Sequence, residues 1–213
     1  MRPFEKEKLD LMKNELLNIQ KPQILELGVE RGKSTKMFLE ICDQNDGQLT
    51  SIDINDCSNV SDNSKWHFIK SSDDNFSYIE KYISNKKFDL LYIDSLHEFN
   101  HVKKVFYYYY KYIKENGLIF VDDVSWLTYV KNGVQDNDFS ERQNRLIFNT
   151  ILEIYNSNVN NLSLDINFSG TGLAKFKKLN QSINEAKKVT NRMFTFKNIL
   201  KNIYSPEPKN YKK

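Results

Sequence analysis

The chain has 213 residues, 39% hydrophobic and 28% charged, with a formal net charge of +3. That length supplies one domain with a substantial core and is short for two, while no apolar run approaches the roughly 18 residues of a membrane-spanning helix, and Met1 to Gln20 is too charged for a signal peptide. The expected setting is soluble and cytoplasmic, without stable membrane insertion, and Cys42 and Cys57, which form neither a CxxC pair nor a metal spacing, are expected as reduced structural thiols.

Residues 4–19 read as a leading helix, because Leu9, Met12, Leu16 and Ile19 recur at helical spacing. Next comes Ile24-Leu-Glu-Leu-Gly-Val-Glu-Arg-Gly-Lys-Ser-Thr35, a short strand over 23–27 that breaks into a glycine-containing loop and then a helix. A phosphate-binding P-loop shares the ending Gly32-Lys33-Ser34, but it needs four residues between its glycines, and only Val29, Glu30 and Arg31 separate Gly28 from Gly32. A dinucleotide fingerprint needs a glycine where Glu30 stands. The third spacing, Glu26-x-Gly28-x-x-x-Gly32, puts carboxylates where a phosphate would be repelled. It suits a cofactor with an ammonium, a sulfonium and a ribose diol; S-adenosylmethionine is such a cofactor.

Further β-rich runs at 49–54, 66–70, 88–93 and 117–121 alternate with helical segments. One helix is expected over 100–114, with Val102, Phe106, Tyr109 and Ile113 as its buried stripe, and another over 141–155. The alternation predicts an open parallel sheet with helices on both faces. Leu164-Asp-Ile-Asn-Phe-Ser-Gly-Thr-Gly-Leu-Ala-Lys-Phe176 reads as a closing antiparallel hairpin bending at Gly170 and Gly172. Four consecutive tyrosines, Tyr107 to Tyr110, fall on different sides of their helix and read as packing and surface. His101 is expected on the helix surface and His67 in strand packing. From 181 to 213, eight basic residues stand against two acidic ones, a local net charge of +6. This segment reads as an amphipathic helix with Val189, Met193, Phe196 and Leu200 on one stripe, followed by a proline-containing end. A docked helix with a solvated basic face is one reading, contact with an anionic membrane or nucleic acid the other.

On these motifs the sequence resembles the class I S-adenosylmethionine-dependent methyltransferases over residues 21–179. The resemblance implies an α/β fold, Rossmann-like and doubly wound, with a mostly parallel seven-stranded sheet closed by a C-terminal antiparallel hairpin. The domain plan is then an N-terminal helix over 1–20, the cofactor domain over 21–179 and a basic helix and tail over 180–213. Leu49-Thr-Ser-Ile-Asp53 is similar to the family's second strand, whose terminal acid accepts hydrogen bonds from ribose hydroxyls about twenty residues after the glycine loop. The resemblance implies cofactor contacts from Glu26, Gly28, Gly32 and Ser34 at the loop and from Asp53 at the ribose. It also implies contacts from Ser72 and Asp73 near the adenine, where the family often has Gly-Asp.

Asp94 ends the fourth strand, and Asp122 and Asp123 follow the fifth. Side by side they suit a hard dication such as Mg²⁺. The placement resembles the metal site of catechol-type and sugar O-methyltransferases, in which the metal lowers the pKa of a substrate hydroxyl. Each acid also has a structural reading, as a helix or turn cap or a partner for a backbone amide. His97, in Asp94-Ser-Leu-His-Glu, resembles the Asp-Gly-x-His segment of that branch, with Ser95 in place of glycine. It is the candidate general base, grouped with Asp94 as catalytic; capping of the helix near Asn100 is its alternative role. The stretch from Ser125 to Arg145, with Trp126, Tyr129, Asn132 and Arg142, reads as a substrate lid or as a plain connection.

The expected function is metal-assisted O-methylation of a sugar or another small hydroxylated acceptor. A non-catalytic cofactor-binding module and a nicotinamide-dependent enzyme are the alternatives. Nucleic acid is not an expected partner, since the core lacks a basic stripe and Asp94-Ser-Leu-His stands where many amino-methylating enzymes carry an Asn-Pro-Pro-Tyr type motif. The two terminal helices offer surfaces for a homo-oligomer.

Overall fold

A computed structural model describes residues 3–126, 138–190, 196, 197 and 200. Helix α1 (Pro3–Leu16) leads into β1 (Gln23–Leu27), α2 (Lys33–Asn45), β2 (Gln48–Asp53) and β3 (Trp66–Lys70). Then follow α3 (Phe76–Ile83), β4 (Phe88–Ile93), α4 (Phe99–Tyr110) and β5 (Ile113–Asp122), and finally α5 (Asp138–Asn156), β6 (Leu162–Asn167) and β7 (Leu173–Lys178). The strands form one seven-stranded sheet in the order β3-β2-β1-β4-β5-β7-β6. β1 to β5 pair in parallel, and β7 runs antiparallel between β5 and β6. The strand order reverses between β1 and β4, so a crevice opens at their carboxyl ends.

The central strands are apolar on both faces because helices cover both. Ile24, Leu49, Leu90, Leu118 and Phe120 pack with Met12 and Leu16 of α1 and with Met37, Phe38 and Ile41 of α2. Leu25, Leu27, Leu91, Ile93, Ile119 and Val121 alternate with them and pack against α3, α4 and α5. The tyrosine run fastens these layers. Tyr109 and Tyr110 are buried while Tyr107 and Tyr108 are partly so, and all four hydroxyls donate to backbone carbonyls, of Asn184, Phe76, Asp73 and Asn180 for Tyr107 to Tyr110 in turn.

Two expectations are corrected here. Ile113, assigned by its spacing to the helix over 100–114, opens β5 and pairs with Phe88; α4 stops at Tyr110, and β5 starts four residues before the expected Gly117. The buried Lys178 ammonium decides that boundary by donating to the carbonyls of Tyr110 at 3.0 Å and Ile113 at 2.8 Å. The C-terminal helix does not begin at Val189: residues 182–190 carry no regular element. Instead Ile183 and Ala186 pack on the core, and Asn184 and Lys187 bond to Asn158 and Ser157 at the end of α5. Tyr129, Asn132, Met193 and the segment 201–213 lie outside the described residues.

Candidate active site

At the carboxyl edge of the sheet the loop after β1 presses directly on the end of β4. The Gly28 amide donates to the Ile52 carbonyl and the Asp94 amide to the Leu27 carbonyl, each at 2.9 Å. Gly28 has φ +93°, and a Cβ there would lie 2.1 Å from the Asp94 carbonyl oxygen, so only glycine fits. Beside it, Asp53 Oδ2 accepts from the amides of Val29 (2.8 Å) and Glu30 (3.2 Å), and Oδ1 from that of Asn55 (2.8 Å). Burial alone would raise the Asp53 carboxyl, but these three amides outweigh it and hold it below its ordinary value. The cleft that opens here has a volume of about 770 Å³ and runs along the strand ends from Asp53 to Asp122.

The residues after β2 and β3 build one end of that cleft. Ser34, Ser72 and Asp73 line it, as do Ile54 and Leu96, which are 68% and 59% exposed. Ser72 donates to Asp74, and Asp73 accepts from the Ser95 hydroxyl at 2.6 Å and lies 2.9 Å from His101 Nε2. His101 is therefore buried in an ion pair, not on the helix surface as expected, and its hydrogen bond to Asp73 raises its pKa against the effect of burial. Asp53, flanked in the cleft by the apolar Ile54 and accompanied there by Leu96 and Asp73, makes this the end that suits a ribose and an attached base.

Glu26 and Gly32 do not meet the cleft as expected. Glu26 is fully buried, accepting hydrogen bonds from the hydroxyls of Ser34 at 2.6 Å, Thr35 at 2.8 Å and Ser51 at 2.6 Å. It shares a sheet face with Ile24, the face that α2 covers, and therefore ties β1 and β2 to the first turn of that helix. Burial pushes its carboxyl up to about 7 despite these hydrogen bonds. Gly32 stands just before α2 at φ +71°, where a Cβ would lie 2.1 Å from Val60 Cγ1. Its glycine serves the turn and that close packing.

The opposite end of the cleft gathers Asp94, His97, Asp122 and Asp123, as expected, together with Lys8, Tyr92 and Thr171, which sequence reasoning missed. Asp123 is left-handed at φ +57° directly after β5, a backbone that L residues seldom adopt and that sites of chemistry often retain. The His97 ring lies between two acids, Nε2 3.5 Å from Asp94 Oδ1 and Nδ1 3.5 Å from Asp123 Oδ2. It does not cap α4: Glu98 does, accepting from the amides of Asn100 and His101. Burial and then the charges of Asp122 and Asp123 raise the Asp94 carboxyl well above its ordinary value, and burial and Asp122 raise Asp123 while His97 offsets part of this.

The donor set does not fit a divalent metal in this arrangement. Asp122 Oδ1 accepts from the Lys8 ammonium and from the Asp123 amide, and Oδ2 accepts from the Tyr92 hydroxyl at 2.7 Å, which also reaches Asp94 Oδ2 at 3.1 Å. Among the described residues no group of three metal-ligating side chains is arranged to hold an ion. A signal for Lys8 existed in the sequence: it lies four and eight residues before Met12 and Leu16, a charge on the buried stripe of α1.

Residues 25–124 match the family model of a methyltransferase domain. No curated protein sequence matches the chain at a significant level. Among solved structures, a protein from Staphylococcus aureus provisionally assigned as a caffeoyl-CoA O-methyltransferase superposes with a TM-score of 0.62 at 21% identity, over 80% of this chain and 82% of that one. MycE, a methyltransferase of the mycinamycin biosynthetic pathway solved with Mg and SAH, gives 0.61 at 20% identity over 82% of this chain, which spans only 49% of MycE. A Clostridium thermocellum protein provisionally assigned as an rRNA methylase gives 0.63 at 12% identity, over 85% of this chain and 99% of its own. At these identities the likeness is one of fold, and it spans proteins with unlike acceptors.

Proposed function

We propose that this chain is a class I S-adenosylmethionine-dependent methyltransferase, a reading supported by the methyltransferase-domain match over 25–124 and by the shared fold, and that it methylates a hydroxyl oxygen of a small, neutral or cationic acceptor, with His97 as the general base. The single observation that carries this reading is the placement of His97 between Asp94 and Asp123 in the same cleft as the Asp53-braced glycine loop. Bound S-adenosylmethionine supplies an electrophilic methyl group on a sulfonium. The chain's own task is alignment and proton removal. Asp53 holds the ribose hydroxyls, Gly28 lets the loop approach closely, and Ser72 and Asp73 border the adenine. His97 takes the hydroxyl proton as the oxygen attacks, and the flanking carboxylates orient the ring and stabilise the imidazolium. The cleft lining holds eight carboxylates against three permanent cations, which disfavours a polyanionic acceptor such as nucleic acid. No metal takes part in this reading of the chemistry, since Lys8 is already bonded within the carboxylate cluster.

Calorimetric titration with S-adenosylhomocysteine tests the cofactor assignment. Micromolar binding by the wild type, lost in Asp53→Ala, is the expected result. No binding under any condition sinks the methyltransferase reading.

A further inference from the structure

We propose that the Lys8 ammonium is the resident cation of the Asp94–Asp122–Asp123 cluster, filling the place of a divalent metal and leaving the wild-type protein without a metal site. Lys8 is only 6% exposed; it donates to Asp122 and, at 2.7 Å, to Thr171 Oγ1, and lies 3.9 Å from Asp123. Both Asp122 oxygens are engaged, one by Lys8 and the Asp123 amide and the other by Tyr92. Mg²⁺ needs carboxylate oxygens at about 2.0–2.1 Å in a near-octahedral shell that keeps several waters. An ammonium in contact with the same oxygen excludes that shell by volume and repels the dication by charge.

Lys8 belongs to a docked element. Glu5 pairs with Lys33 at 3.1 Å, Glu7 accepts from Asn167 at the end of β6 and from Ser169 on the turn that follows, and Glu15 pairs with Lys175 at 2.8 Å. Met12 and Leu16 bury the helix face on the same side. The cation is therefore delivered by the chain, at the effective concentration of a tethered group, and needs no capture from solution. An ammonium has three donors, and Asp122 and Thr171 use two. The third, with Asp123 3.9 Å away, would serve an acceptor oxygen and lower the hydroxyl pKa before His97 takes the proton. This last step alone rests on the methyltransferase reading; the exclusion of metal does not.

The test is a Mn²⁺ titration followed by electron paramagnetic resonance on the full chain. The variants are Lys8→Met and Lys8→Met/Asp122→Asn, with S-adenosylhomocysteine calorimetry on the same preparations. The expected result is no Mn²⁺ binding by the wild type up to millimolar concentration, binding at least about tenfold tighter in Lys8→Met, and loss of that gain in the double variant. Micromolar Mn²⁺ binding by the wild type, or a folded Lys8→Met that binds no tighter, overturns the proposal. If Lys8→Met does not fold, the lysine ammonium signals of ¹⁵N-labelled wild type decide. A protected resonance that is missing from Lys8→Arg and unmoved by millimolar Mg²⁺ supports it; displacement of that resonance by Mg²⁺ overturns it. A wild type that binds no S-adenosylhomocysteine defeats the methyltransferase reading while the Mn²⁺ result still stands.

Discussion

Burial of Glu26 against Ser34, Thr35 and Ser51 raises its carboxyl from 4.5 to about 7, so the folded protein binds a proton there that the unfolded chain releases. Its contribution to stability is complete below pH 4.5, falls as pH rises toward 7 and is constant above that. The full loss is on the order of 3 kcal/mol. Glu26→Gln removes the titration while keeping an acceptor for the hydroxyls. Its melting temperature, taken relative to wild type, is expected to rise between pH 4.5 and 7; a pH-independent difference would refute this assignment. At His97 the expectation is catalytic. His97→Gln should lower kcat by about 10²–10⁴-fold and leave S-adenosylhomocysteine affinity unchanged, whereas equal loss of both would mean a structural role. The two residues differ in how far the sequence made them legible. His97 was readable because local spacing from Asp94 carries it to the strand end. Glu26 was misdirected because its side of the sheet is set by the pleat and by its register opposite Ser51.

Helix periodicity located α4, but it could not locate its end. Val102, Phe106 and Tyr109 keep the spacing that Ile113 continues, and a residue that begins a central strand is as buried as one that ends a helix. What ends α4 is Lys178, an ammonium donated from β7 to the Tyr110 and Ile113 carbonyls and lying 4.3 Å from the Tyr110 ring centroid. Lys178→Met fills similar volume but leaves both carbonyls without that donor. It is expected to cost about 2–4 kcal/mol in urea unfolding; a change under about 0.5 kcal/mol would mean that other groups satisfy the carbonyls. The strands 23–27, 66–70 and 88–93 appear at the residues expected; 23–27 and 88–93 are largely apolar because helices cover both faces of the central strands, and 66–70, at the sheet edge, is marked by Trp66, Phe68 and Ile69. The tail was read as helical from Val189; Phe196, Lys197 and Leu200 are helical, but 182–190 carries no regular element and docks through Ile183, Ala186 and the carboxamide of Asn158, contacts that no local pattern announces.

At the scale of the whole molecule the charges are separated: the cleft carries an excess of carboxylates although the chain is net positive. If the cleft field steers the acceptor, kcat/KM for a cationic acceptor should fall with added salt, while that for a neutral one stays level. The same salt slope for both would remove the cleft charge from the selection of substrate. The seven-stranded sheet, its order of helices and strands, the glycine loop and the carboxylates at the strand ends were determined by the sequence alone. The order of elements, the loop and the carboxylates rest on local periodicity and short spacings, while the count of seven strands came from what the family resemblance implies. Tertiary structure alone decided that Glu26 faces inward, that His101 pairs with Asp73 and that Lys8 stands among the metal-like carboxylates. Lys8 and Asp122 are 114 residues apart, and only the docking of α1 across the sheet brings an ammonium to that place.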